Sequence, residues 1–378
     1  MRIALVSPLY ESVPPWCYGG TERVIAALAD ELVARGHDVT LFAAGGSSTR
    51  AHLVPVVPAP LRRTMTRAEL ADVAPHLHLQ MLADVYRSGH DFDIIHAHTD
   101  IWTLPFVRSV DVPTVLTMHG RLDIDVVQRI VPFYPDTPLV SISDSQRLPL
   151  DHFPMRWIAT VPNGLPLDAY LAARRQPRRS DDYLAFVGRL TPEKRPDLAV
   201  EIARRTGLQL RVAAKIDPMD ESYWEDVIKP LFAREDVEFL GELGEADKPA
   251  FLAGARALVF PIDWPEPFGL VMIESLAAGT PVVALRRGSV PEVLEHGRSG
   301  WICDNVDEMV RGVERADQIS SEACRRRALD FSAERMTQRY CEVYEEVISS
   351  GRSVSRSFNS HPRRDRIGVT SSTDRRAG

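Results

Sequence analysis

No apolar run in the chain reaches the roughly 18 residues of a membrane-spanning helix. Its opening, MRIALVSPLY, passes into polar residues without the hydrophobic stretch and cleavage site of a secretory leader. A cytosolic protein is expected. Cysteine is scarce: Cys17, Cys303, Cys324 and Cys341 are scattered without metal-ligand spacing, which excludes a disulfide framework and reads as reduced thiols. Basic charge is not in excess either. Lys and Arg number 45 against 52 Asp and Glu, and the net charge of −7 argues against a nucleic-acid binder. Neither a GxGxxG fingerprint nor a Walker lysine occurs.

What is present is a chain of 378 residues and ordinary globular composition, longer than one hydrophobic core usually supports. Short β-branched runs recur, each followed by a helical pattern: IALVSP, DVTLFAAGG, DIIHAH, TVLTMHG and LVSIS, then YLAFVGR, LRVAAK, VEFLG, ALVFP and PVVALRRG. Alternation of this kind predicts parallel α/β sheets. TERVIAALADELVARG reads as a helix with Thr21 as N-cap and Gly36 at its end. Charged residues without strand character at 168–182 mark a linker between two doubly wound domains, 1–167 and 183–335. A last helix follows at 336–350, and the Arg- and Ser-rich tail 351–378 reads as disordered.

Ligands of an open parallel sheet bind beyond the carboxyl ends of its strands. After the first strand, Gly19 and Gly20 precede a helix, where they either admit an anion to the backbone N–H groups or form a tight turn. After YLAFVGR, Arg189 and Lys194 flank a loop leading into a helix. Such a pair suits a diphosphate, with Glu193 and Asp197 as salt-bridge partners in the alternative reading of a solvated loop. In FPIDWPEPFGLVMIESLAAG, Pro265 and Pro267 place Glu266 on a loop, and Glu274 falls inside a short helix ending at Gly279. The N–H groups of Phe268, Gly269 and Leu270 would open into the same space. Two carboxylates there suit the vicinal hydroxyls of a ribose or hexose.

His96 and His98 share a strand face without a third ligand at readable spacing, so structural roles are expected. His119 ends a strand at the ligand edge, as a sugar contact or a satisfied core histidine. Asp91–Asp93 and Asp123–Asp125 fit a DxD pattern too short to establish a metal site. Arg62, Arg63 and Arg67 lie in a stretch that reads as a solvated helix face, with a weak peripheral contact to acidic lipid headgroups as the alternative.

In order and spacing, GGTERV, IIHAH, TMHG, VPNG, FVGRLTPEK, FLGE, the E-x7-E element from Glu266 to Glu274, SLAAGTPVVA and VLEHGRSGWI resemble the retaining GT-B glycosyltransferases of family 4. The resemblance runs to about Ser350. It implies two Rossmann-like domains facing a cleft, a C-terminal helix crossing back to the N-terminal domain, and a nucleotide-sugar donor held mainly by the C-terminal domain. The base, sugar and acceptor remain open. By resemblance, Arg189 and Lys194 would bind the diphosphate and Glu274 the ribose. Glu266 and the backbone at Phe268–Leu270 would contact the transferred sugar, Gly20 would approach the phosphates and His119 the donor sugar. The same resemblance implies retention of configuration with neither metal nor other cofactor. An epimerase or phosphorylase on the same fold, or a non-catalytic nucleotide-sugar-binding protein, are the alternatives.

Overall fold

The structure, a computed structural model, describes residues 1–16, 19–173, 182–217 and 220–358. Two parallel sheets form it. The first comprises β1 (Arg2–Val6), β2 (Asp38–Ala44), β3 (His52–Val57), β4 (Ile94–Ala97), β5 (Thr114–Thr117), β6 (Leu139–Ser141) and β7 (Trp157–Thr160). The second comprises β8 (Tyr183–Arg189), β9 (Gln209–Lys215), β10 (Val237–Gly241), β11 (Ala257–Phe260), β12 (Val282–Leu285) and β13 (Gly300–Cys303). Their orders, 3-2-1-4-5-6-7 and 10-9-8-11-12-13, both reverse direction beside the first strand, which creates a crevice at the carboxyl edge.

Central strands such as β4, β5, β11 and β12 are buried along their whole length, as expected of parallel strands covered by helices on both faces. Helix α1 (Gly20–Ala34) packs Val24, Ile25, Leu28 and Leu32 into the first core together with Tyr340 and Tyr344 of the last helix. Its N-cap is Gly19 without a side-chain cap bond, so Thr21 is already inside the helix. Three strands carry no expected run: edge strand β3, which contains Pro55, and the short β7 and β13.

The final helix, Ala333–Phe358, begins on the second half and packs along α1 and β5 of the first. It runs past the expected end at 350. The rest of the presumed disordered tail, 359–378, lies outside the described residues, as does 174–181 of the presumed linker. Asp168–Ala172 of that linker is a short helix. No helix among the described residues is long and apolar enough to cross a membrane.

Candidate active site

The carboxyl edges of the two sheets face one another across a cleft of about 750 Å³, lined by Gly19, Gly20, His119, Arg189, Lys194, Glu266, Phe268, Gly269, Leu270 and Glu274. All ten residues expected at a site therefore meet in one cavity.

On the second half, β8 delivers Arg189 to the cleft, and a tight turn at Pro192–Lys194 follows. The next residue, Arg195, has φ +53°, a left-handed conformation unusual for a residue with a side chain. Three bonds to Asp197, the shortest 2.8 Å, and a contact of 3.5 Å to Asp263 clasp it there. The turn so fixed aims Lys194 at Glu266, to which its Nζ donates a hydrogen bond. Trp264 Nε1–H donates to the same Glu266 oxygen at 2.7 Å, and the Lys194 ammonium lies 4.8 Å from the Trp264 ring centroid. The pair is nearly shut off from solvent, so its charges act with little screening. Arg189 has Glu193 at 3.8 Å, and Asp197 serves Arg195.

The helix Leu270–Ala278 starts at Gly269, whose φ of +81° a residue with a Cβ adopts only under strain; an added Cβ would also stand 2.8 Å from Met272 Cε. Phe268, Gly269, Leu270 and Val271, at the start of this helix, line the cleft, and the Met272 N–H donates to the Gly269 carbonyl at 3.0 Å. Gly20 approaches from the other half so closely that its Cβ position would lie 3.4 Å from Leu270 Cδ1.

Glu274, one turn into that helix, is 2% exposed. Burial alone would raise its pKa, but Arg23 and Lys248, with the Tyr170 hydroxyl, reverse this and hold it at about 2. The carboxylate is thus charged in the interior. None of these three partners stands out from periodicity or from the motifs, although Arg23 lies inside GGTERV.

His119 lines the cleft, and its Nε2 lies 2.8 Å from His98 Nδ1. Burial lowers its pKa to about 3, so the ring is neutral. The His119 N–H donates to Asp100 Oδ1 at 3.1 Å. Asp100 has φ +45°, and burial raises its carboxyl to about 6 against the N–H groups of His119 and Gly120. His96 is structural: its nitrogens bond the hydroxyls of Tyr344 and Thr117, each at 2.8 Å. Among the described residues no three His, Cys, Asp or Glu side chains converge on a metal position. Three of the four DxD residues serve arginines instead, Asp93 with Arg2, Asp123 with Arg121 and Asp125 with Arg129, and Asp91 lies 3.4 Å from His90. Arg62 lies 3.5 Å from Glu11, and Arg63 stacks 4.7 Å over Trp16.

Two doubly wound sheets facing across a cleft form the GT-B architecture. The family model of Glycosyltransferase Family 4 matches residues 18–169, and that of Glycosyl transferases group 1 matches 172–330. The chain belongs to this glycosyltransferase family. It is 27% identical to the phosphatidyl-myo-inositol mannosyltransferase of Mycobacterium leprae over 94% of this chain and 99% of that protein. The crystal structure of AviGT4, a glycosyltransferase involved in avilamycin A biosynthesis, is 25% identical with a TM-score of 0.65, covering 92% of this chain and 98% of its own. Anabaena HepE, in complex with UDP-glucose, shares the fold at 17% identity and a TM-score of 0.68, covering 93% and 100%. The chain is therefore an enzyme that transfers glycosyl groups.

Proposed function

We propose that the cleft takes a nucleotide-sugar donor and moves its sugar to an acceptor hydroxyl with retention of anomeric configuration and without a metal ion. The observation that carries this reading is the convergence of two cations, Arg189 and Lys194, and the helix start at Phe268–Leu270 beside Glu266 in one cleft. The cations and the helix start suit a diphosphate, and Glu266 suits sugar hydroxyls. Glu274 takes the ribose, and His119, neutral, faces the transferred sugar. The complex of the fold relative HepE with UDP-glucose is consistent with such a donor.

In this reading the bond from the anomeric carbon to the diphosphate breaks while the acceptor oxygen bonds the same carbon from the same face. The acceptor proton passes to the departing phosphate oxygen. Arg189 and Lys194 stabilise charge as it develops on the diphosphate, which lowers the barrier and does not merely tighten binding.

The test is product analysis. Purified enzyme treated with EDTA is supplied with UDP-, GDP- or ADP-hexoses and an acceptor panel, and the anomeric coupling constant of the product is read by NMR. Transfer with the donor's own anomeric configuration is expected. Inverted product, or activity that returns only on adding a divalent metal, contradicts the reading.

A further inference from the structure

Glu274 is reached from both sides of the cleft. From its own half come Lys248 Nζ at 3.0 Å and the Tyr170 hydroxyl at 2.7 Å. From α1 on the opposite half comes Arg23, whose guanidinium lies 2.5 Å from the carboxylate. All three meet the same oxygen, Oε1. Glu245 completes the group, 2.9 Å from Arg23 and 2.5 Å from Lys248. Arg23 and Lys248 thus alternate with Glu274 and Glu245 around a ring of four charges. Its net charge is zero, which is how a buried ionic cluster avoids an uncompensated charge. Arg23, with an 11% exposed side chain, is the member that belongs to the other half.

We infer that Arg23 is a positioning residue of the donor site: it grips Oε1 of Glu274 from across the cleft and so turns Oε2 toward the ribose hydroxyls. The ring fixes the carboxylate's rotation, because three donors on one oxygen define the plane and direction of the other. It also ties the Gly19–Gly20 turn, four and three residues ahead of Arg23, to the ribose end of the site. Nucleotide recognition and approach of the two halves then depend on one side chain. This inference rests on the nucleotide-sugar reading and adds to it a residue outside the E-x7-E element.

The experiment uses full-length wild type, Arg23→Met and Arg23→Lys, titrated calorimetrically with UDP, GDP and ADP and with their 2′,3′-dideoxy counterparts. Thermal unfolding checks each fold. Binding of none of the six to wild type contradicts the donor reading itself and this inference with it. Given a nucleotide that binds, Arg23→Met weakens the ribonucleotide about tenfold and leaves the dideoxynucleotide unchanged, since that ligand has no hydroxyls for Oε2 to receive. Arg23→Lys restores most of the loss. Equal weakening of both nucleotides reduces Arg23 to a strut between the halves and overturns the inference. Tighter ribonucleotide binding by Arg23→Met also overturns it, because Arg23 would then be a plug that the ligand displaces.

Discussion

Lys194 and Glu266 show how much depends on single side chains. Each is the other's partner in a nearly dry pocket, with the Trp264 indole bonded to one and lying under the other. Lys194→Met removes the point charge that faces the leaving group. Transfer is expected to fall at least about 100-fold, and the Glu266 carboxylate left without its cation lowers the melting point as well; steady-state kinetics at a temperature where the melting curve shows the variant folded check the loss of transfer. Glu22 is a residue of another kind. Buried beside the cleft, its carboxyl is pushed up to about 7 by desolvation, from an ordinary 4.5. A carboxyl with a raised folded-state pKa contributes stability that is complete below 4.5 and is lost as pH rises through about 7. Glu22→Gln should therefore raise the unfolding midpoint more at pH 8 than at pH 5, by about 1–3 kcal/mol of added stability at the higher pH. An equal effect at the two pH values would show that Glu22 does not titrate in this window.

Among elements, the helix Leu270–Ala278 was readable nearly to the residue, because prolines stop it on one side and glycines bracket it. The left-handed Gly269 sets where its N–H groups point. Gly269→Ala should cost about 1–2 kcal/mol and weaken nucleotide binding together, measured by denaturant unfolding and calorimetry. α1 was legible as an element but not at its start: Thr21 is a good capping type, yet the chain turns at Gly19 so that Gly20 can meet Leu270. β3 escaped notice because Pro55 masks an edge strand, where a missing N–H is tolerated. The last helix and its return to the first half were legible, but the side chains that fasten it there were not. The Tyr344 hydroxyl bonds His96 Nδ1 at 2.8 Å in the core of the first half, so Tyr344→Phe leaves a buried imidazole nitrogen without its partner and should cost about 1–3 kcal/mol. Chemical denaturation of the two proteins checks that figure.

At the scale of the molecule, two sheets reverse their order beside their first strands, and the crevices so formed face each other. E-x7-E and the Arg189–Lys194 loop could be read from sequence since each is local, with prolines, glycines and charges at fixed offsets. The ring through Arg23 and Glu245 could not, because its members are 222 residues apart and no local periodicity links them. The same holds for Ser143, which donates to the Pro267 carbonyl at 2.7 Å, and for Glu292, which accepts from the N–H groups of Asp144 and Ser145 at 2.7 and 2.8 Å. These contacts join the halves around the cleft, so a ligand bridging them should stabilise the whole chain.

The most direct measurement is thermal unfolding of wild type and Lys194→Met against UDP-, GDP-, ADP- and dTDP-sugars, all with EDTA. A ligand confined to the native state adds about 2.7 kcal/mol at a hundredfold excess over its Kd. One nucleotide-sugar should raise the wild-type midpoint by several degrees and leave Lys194→Met nearly unmoved. No shift from any donor, or the same shift in both proteins, would contradict a donor diphosphate held by Lys194 in this cleft.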